Sequence, residues 1–251
     1  MPYRKQQFVN GEIYHLVLRA IDNNLIFKNA DDYYRGIFSI YEFNNSNAIE
    51  ILKRRREIQR AKQRKVGGGP SSAQASADPL DERDKLVEIL AFCFMPNHIH
   101  LLVKQLKDGG ITKFMRKVGT GYGGYFNRKY KRKGYVFQDR FSSILIKDDT
   151  QLKIVFVYIH TNPAALVEGG WKEKGVNNPG KVIKFLEKYK WSSYSDYLSI
   201  ENFPSVTERD FLLNLMRGET GCKEAVDSWI KYKSEIRKFT DLAALALERT
   251  A

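Results

Sequence analysis

The sequence predicts an α+β fold, an antiparallel sheet with helices packed on it, and three observations carry that expectation. Leu86 to Met95 is an almost continuous apolar run, Pro96-Asn97 supplies a turn, and His98 to Val103 reads as the returning strand. Segments with helical apolar spacing lie on both sides of this hairpin, each next to a further strand-like stretch. The resulting order is strand, helix, strand, strand, helix, strand, helix. Its first six members form a split βαβ unit, βαββαβ, which is the ferredoxin-like plan.

Each element has its own signal. Glu12 to Arg19 is the first strand, and the Asn-rich turn Asp22-Asn23-Asn24 leads to Asp31-Asp32, which can cap a helix carrying Tyr33, Ile37, Phe38, Ile40 and Tyr41. A second helical piece from Ala48 to Lys65 ends in a basic run. Gly67 to Pro79 offers almost nothing to bury and reads as a flexible insertion, so the basic and Gly/Ser-rich stretch at about 53–80 interrupts the plan. Apolar character on both faces of the hairpin argues for central positions in the sheet. Ile111 to about Lys131 is an aromatic and basic helix whose Gly119, Gly121, Gly123 and Gly124 weaken its middle. Ser142 to Lys147 is another strand. Asp148-Asp149-Thr150 opens a helix to Asn162, with Ile154, Val155 and Val157 expected on its hidden face and Pro163 as its stop. Residues 1–170 are expected to form the catalytic domain. Residues 171–251 are expected to be a helical C-terminal extension, with helices at Lys181–Lys188, Trp191–Leu198, Glu208–Met216 and Lys223–Arg237.

Charge narrows the partners. Forty-two Lys and Arg against 29 Asp and Glu leave +13, which favours a polyanion. No apolar run is long enough for a membrane span and no signal-peptide core follows Met1, so a cytoplasmic, nucleoid-associated protein is expected, with nucleic acid as the partner rather than a membrane. Cys93 and Cys222 are too few for a disulfide framework or a Cys-rich zinc site, and Cys93 is expected to be a buried free thiol.

The chemistry concentrates in two short stretches. On a strand, His98 and His100 point to one face while Ile99 points to the other, so two imidazoles can converge on one cation. Taken alone, His-x-His is a weak signal. In Tyr158-Ile159-His160-Thr161-Asn162, the tyrosine and the asparagine lie i, i+4 on one helical face. Imidazoles and amide could hold a divalent ion over a phosphate, and the phenol could attack it. His15 and His160 are read as structural.

Phe94-Met95-Pro96-Asn97-His98-Ile99-His100-Leu101-Leu102-Val103 resembles the histidine–hydrophobe–histidine (HUH) motif of single-tyrosine transposases, most closely the REP-associated tyrosine transposases. Tyr158 to Pro163 resembles the nucleophile helix of that branch. The stretch from Tyr125 to Phe141 resembles its linking segment, and Trp191-Ser192-Ser193-Tyr194 a later signature. The match runs from about Gly11 to Leu198. The resemblance implies an HUH fold, with Mg²⁺ or Mn²⁺ held by His98, His100 and Asn162 and with Tyr158 as nucleophile. It implies cleavage and rejoining of single-stranded DNA beside hairpin-forming palindromes through a 5′-phosphotyrosine, by a monomer or a homodimer. The long 53–80 stretch departs from the compact link that family has.

Basic residues interleaved with aromatics suit a hairpin foot or a guide strand. The candidate DNA contacts are Arg19, Asn127, Arg128, Lys131, Arg132, Gln138 and Arg140, with Tyr130, Tyr135, Phe137 and Phe141 among them. Two other readings remain open on the sequence: a non-catalytic nucleic-acid binder on a ferredoxin-like sheet, and a metal-dependent hydrolase that uses water as nucleophile.

Overall fold

The computed structural model describes residues 7–48, 81 and 83–248, with side chains as far as Arg237. In chain order come β1 (Ile13–Arg19), α1 (Ala30–Glu42), β2 (Val87–Met95), β3 (His98–Gln105), α2 (Gly110–Lys129) and β4 (Ser142–Leu145). The four strands form one antiparallel sheet in the spatial order β2-β3-β1-β4. Two interlocked split βαβ units generate that arrangement, so the ferredoxin-like plan holds. The stretch expected to be an insertion at 53–80, and the helical piece beyond Ala48, lie outside the described residues. No helix among the described residues is long and apolar enough to cross a membrane.

The sheet is covered on both faces. On one face Leu16, Leu18, Ile99, Leu101 and Val103 pack against Ile37 and Ile40 of α1 and Ile111, Phe114 and Val118 of α2. α2 runs unbroken through its glycines because packing outweighs the roughly 1 kcal/mol that each costs in a helix. At Gly121 a Cβ would collide with the Phe43 ring, so the close approach needs a residue without one. α1 is capped by Asn29, which accepts from the Asp32 amide at 3.2 Å, and not by Asp31-Asp32, which lie inside its first turn.

Asp32 has another task. Its carboxylate is fully buried and accepts from Lys129 Nζ (2.7 Å), Tyr130 Oη (2.6 Å), Tyr125 Oη (3.0 Å) and the Lys28 amide (3.0 Å), tying α1 to the end of α2. Burial alone would raise its pKa, but these four donors together hold it below the usual carboxylate range. A group depressed in this way stabilises the fold above its unfolded pKa of about 3.9, and that stability is lost as pH falls through the lower folded value. Asp32→Ala is therefore expected to destabilise the protein by about 3 kcal/mol at neutral pH, with the gap to wild type closing in acid. Urea unfolding at a series of pH values checks both statements.

The second face is covered by α3 (Asp149–Thr161) and by the chain after it: α4 (Trp171–Lys174), α5 (Pro179–Lys188), α6 (Tyr194–Tyr197), α7 (Asp210–Met216) and α8 (Gly218–Glu248). Leu90, Cys93, Met95 and Leu102 of the sheet meet Leu152, Phe156, Ile159, Trp171, Leu186, Tyr194, Tyr197, Val226 and Ile230 there. This face explains β2. Its two apolar sides were expected to mark a central strand, yet β2 is the sheet edge, and both its sides are buried because both faces of the sheet carry helices. The edge is also covered: the Phe94 amide donates to Trp191 O, the Ser193 amide to Phe92 O and the Glu208 amide to Ile89 O. The helix expected over Trp191–Leu198 therefore shrinks to one turn at Tyr194–Tyr197, because the backbone of Trp191 to Ser193 bonds to that edge instead.

α3 also differs from expectation in its face. Its buried stripe is Leu152, Phe156, Ile159 and His160, while Ile154 is 62% exposed and Val155 and Val157 are half-buried. Ser142–Leu145 is shorter than the strand expected to reach Lys147, since the Lys147 amide already turns to Gln151 Oε1 at 2.8 Å. Cys93 and Cys222 are buried free thiols, and burial raises the pKa of both.

Candidate active site

Strand alternation puts His98 and His100 on the face that packs against α3. Their rings lie 4.8 Å apart, centre to centre. The β1–β3 register sets Arg19 opposite His98 and Val17 opposite His100. His15, two residues before Val17, is thus a diagonal neighbour of His100 on the same face. Its Nε2 lies 2.9 Å from His100 Nδ1.

α3 delivers Tyr158 to this cluster. Asp148 caps the helix by accepting from the Gln151 amide at 2.8 Å. Burial of Leu152, Phe156 and Ile159, about 2 kcal/mol each, fixes its rotation. Buried His160 adds a polar tie, with its Nε2 2.9 Å from Ser193 Oγ, and the Phe92 amide donates to that same oxygen. The Trp191-Ser192-Ser193-Tyr194 stretch therefore clasps the tyrosine helix to the edge of the sheet. The Tyr158 ring stands edge-on to His100 at 5.6 Å and to His15 at 5.8 Å.

Asn162, at the C-terminal end of α3, donates from Nδ2 to Tyr158 O at 2.7 Å. Its Oδ1 accepts from Lys172 Nζ at 3.0 Å, and the same ammonium donates to Tyr158 Oη at 3.3 Å. Arg19, Met95, His98, Tyr158, Asn162 and Lys172 are among the walls of a cleft of about 220 Å³. Glu173 is exposed at its rim. α8 anchors the segment that carries Lys172, because Lys233 Nζ donates to Lys172 O at 2.8 Å and the Val176 amide to Lys233 O at 3.1 Å.

All three clustered imidazoles are neutral near pH 7. Burial, then Arg19, lowers the His15 pKa to about 4. Burial, then Arg19 and Lys172, does the same to His98, also to about 4. Burial and the neighbouring His98 and His15 take His100 well below the ordinary imidazole value. Neutral imidazoles keep the lone pairs that a cation needs. His98 Nδ1 lies 2.6 Å from Asn97 Oδ1, a carbonyl oxygen that only accepts, so Nδ1 carries the proton and Nε2 is bare. His100 is 1% exposed, and its Nε2 has no partner among the described residues. His98 Nε2 and His100 Nε2 thus have no protein partner among the described residues, while Asn162 Oδ1 is held by Lys172. Among the described residues no group of three or more His, Cys, Asp or Glu could hold a metal ion.

The candidate DNA contacts fall into two places. Arg19 is exposed at the cleft wall, and its carbonyl accepts from the backbone amide of exposed Gln138 at 2.9 Å. Arg128, Lys131 and Arg132 are exposed together at the end of α2, where Asn127 Nδ2 closes the turn by donating to Gly134 O at 2.7 Å. Arg140 is exposed on the segment between α2 and β4. Of the interleaved aromatics, Phe137 is buried and Tyr130 is bound to Asp32, while Tyr135 is 84% exposed and available for stacking. Two residues at the site differ from the sequence expectation: His15, read there as structural, and Lys172, not singled out there. His15 reaches the site only through the β1–β3 register, and Lys172 carries no local signal.

Residues 81–162 match the family described as IS200-like transposases. No curated protein matches the chain. Among solved structures, one similar to it is a REP-associated tyrosine transposase bound to a REP hairpin, with 14% identity over 84% of this chain and 93% of that one and a TM-score of 0.45. Another, from Deinococcus radiodurans R1, is named only as a candidate transposase, with 13% identity over 61% and 92% and a TM-score of 0.32. A third is a bacterial tRNA(His) guanylyltransferase-like protein in complex with ATP, with 8% identity over 80% and 73% and a TM-score of 0.35. The resemblance seen in the sequence is borne out by the family match: the segment 81–162, which matches the IS200-like transposase family, carries both motif histidines, the tyrosine and the asparagine.

Proposed function

We propose that this protein cleaves and rejoins single-stranded DNA beside a hairpin, using Tyr158 as nucleophile. One observation carries the reading. Within a single chain the Tyr158 hydroxyl reaches a cleft walled by His98 and Asn162, with its ring 5.6 Å from His100. The net charge of +13 and the exposed Arg19, Arg128, Lys131, Arg132 and Arg140 suit a phosphate backbone, and Tyr135 an unpaired base.

In this reading His98, His100 and Asn162 hold Mg²⁺ or Mn²⁺, which when bound polarises the scissile phosphate and offsets its charge. Tyr158 Oη attacks phosphorus, an Oη–P bond forms and the P–O3′ bond breaks. The phenolic proton is lost to water in the cleft, and the departing 3′ oxygen gains one, leaving a 5′-phosphotyrosine and a free 3′-OH. The linkage conserves the phosphodiester, so a second 3′-OH can reverse the step and join a new strand. Lys172 holds its ammonium against the phenolic oxygen, where negative charge appears in both directions of the reaction. Arg19, opposite His98 in the register, steers the backbone into the cleft.

The test is incubation of the full chain with Mn²⁺ and a single-stranded oligonucleotide that carries a hairpin and an unpaired tail. A protein–DNA adduct that survives denaturant is expected. Cleavage without any adduct would instead indicate a water nucleophile. Lys172→Met should slow adduct formation about 10–100-fold in single turnover while leaving oligonucleotide affinity within about threefold. An unchanged rate would remove Lys172 from the mechanism.

A further inference from the structure

We infer that His15 is a positioning residue for His100, accepting the proton of His100 Nδ1 so that the His100 Nε2 lone pair is held toward the cleft for a divalent cation. This rests on the metal-assisted reading above and goes beyond it, since that reading names only His98, His100 and Asn162.

The contact is short and dry. His15 Nε2 and His100 Nδ1 are 2.9 Å apart between two buried side chains with nearly parallel rings, 11° apart. One of the two nitrogens must carry the proton, and the two choices differ in consequence. With the proton on His15 Nε2, neutral His100 is protonated at Nε2, a buried donor that has no acceptor among the described residues. With the proton on His100 Nδ1, His15 accepts it and Nε2 is a bare lone pair. Only the second state can ligate a cation, and cation binding selects it. A ligating histidine ordinarily gives its other N–H to an acceptor that fixes its tautomer and ring orientation. His98 already meets that condition through Asn97 Oδ1 at 2.6 Å. His15 supplies the same condition for His100, across the strand pair and not from the next residue along the chain.

The position follows from the sheet. β1 pairs Val17 with His100, so the residue two before Val17 shares its face and reaches the His100 ring diagonally. A residue at 15 lacking an acceptor would leave the His100 N–H unpaired in a buried site and its ring free to turn.

The test uses Mn²⁺ alone, titrated into the full chain without DNA and read from the free-ion electron paramagnetic resonance signal. His15→Phe keeps an aromatic ring beside Tyr158 but removes the acceptor, and should weaken Mn²⁺ about 10–100-fold. His15→Gln carries an amide oxygen near the position of Nε2, and should bind within about threefold of wild type. In Mg²⁺-loaded wild-type protein, ¹⁵N-histidine spectra should find the His100 proton on Nδ1, a readout that depends on no variant. If His15→Phe binds Mn²⁺ as wild type does while His100→Ala does not, the inference falls and the metal site stands. A His100 proton on Nε2, or a glutamine variant as weak as the phenylalanine one, overturns it as well. If wild type fails to bind Mn²⁺, or His100→Ala leaves binding intact, the metal site and the inference fall together.

Discussion

Tyr158→Phe is expected to abolish the covalent protein–DNA adduct, a loss of at least about 10⁴-fold, while leaving the fold and DNA affinity in place. The substitution removes one oxygen. Among the described residues that oxygen makes a single long hydrogen bond, 3.3 Å from Lys172 Nζ, so stability should change by less than about 1 kcal/mol. The ring keeps its edge-on packing against His15 and His100, and Asn162 still donates to the backbone carbonyl of residue 158, which the change does not touch. The variant therefore separates chemistry from binding. Quantifying the adduct on a denaturing gel beside an anisotropy titration with the same oligonucleotide makes the comparison. An adduct of undiminished yield would move the nucleophile to another residue.

Much of the architecture could be read from local signals. The hairpin Leu86 to Val103 declares itself through apolar continuity and the Pro96-Asn97 turn, and the order of elements sufficed to predict the four-stranded antiparallel plan. What could not be read depends on partners distant in the chain. β2 looks central because an edge strand covered on both faces has the same apolar pattern as a central one, and its cover, Trp191 to Ser193, lies about a hundred residues further on. Ile154 appeared to belong on the hidden side of α3 because Ile154, Val155 and Val157 form an apolar run. The packed stripe instead follows Leu152, Phe156 and Ile159, and Ile154 joins Trp229 and Tyr232 in lining an open apolar groove.

The site divides in the same way. His98 with His100, and Tyr158 with Asn162, share faces by strand and helix periodicity, so each pair was legible before any coordinates. His15 needed the β1–β3 register, which the sequence does not state, to bring it 2.9 Å from His100. Lys172 needed more: a turn after the tyrosine helix, then anchoring by Lys233 from α8. Neither residue has a pattern of its own, because its role comes from tertiary placement alone.

The second large effect belongs to the histidine pair, and the two members should differ in a diagnosable way. His98→Ala and His100→Ala are each expected to reduce adduct formation by at least about 10³-fold, since each removes one of two imidazoles available for a divalent ion at a step that develops charge on phosphate. His98 is half-buried at the cleft wall, so its loss leaves a small space that water can enter. His100 lies deeper, at 1% exposure, between His15, His98 and Tyr158. Truncating it leaves the His15 Nε2 without its partner and opens a cavity under the tyrosine ring. His100→Ala should therefore also lower thermal stability by about 1–3 kcal/mol, whereas His98→Ala should stay within about 1 kcal/mol of wild type. Raising Mn²⁺ should partly restore adduct formation in His98→Ala, where Asn162 and His100 remain as ligands. It should do less for His100→Ala, where the position of Tyr158 is disturbed as well. Single-turnover rates across a Mn²⁺ series, paired with melting curves of the two variants, decide the matter. If both variants keep wild-type rates at every Mn²⁺ concentration, the imidazoles hold no catalytic ion, and the chemistry at Tyr158 must draw its charge stabilisation from Lys172 and Arg19 alone.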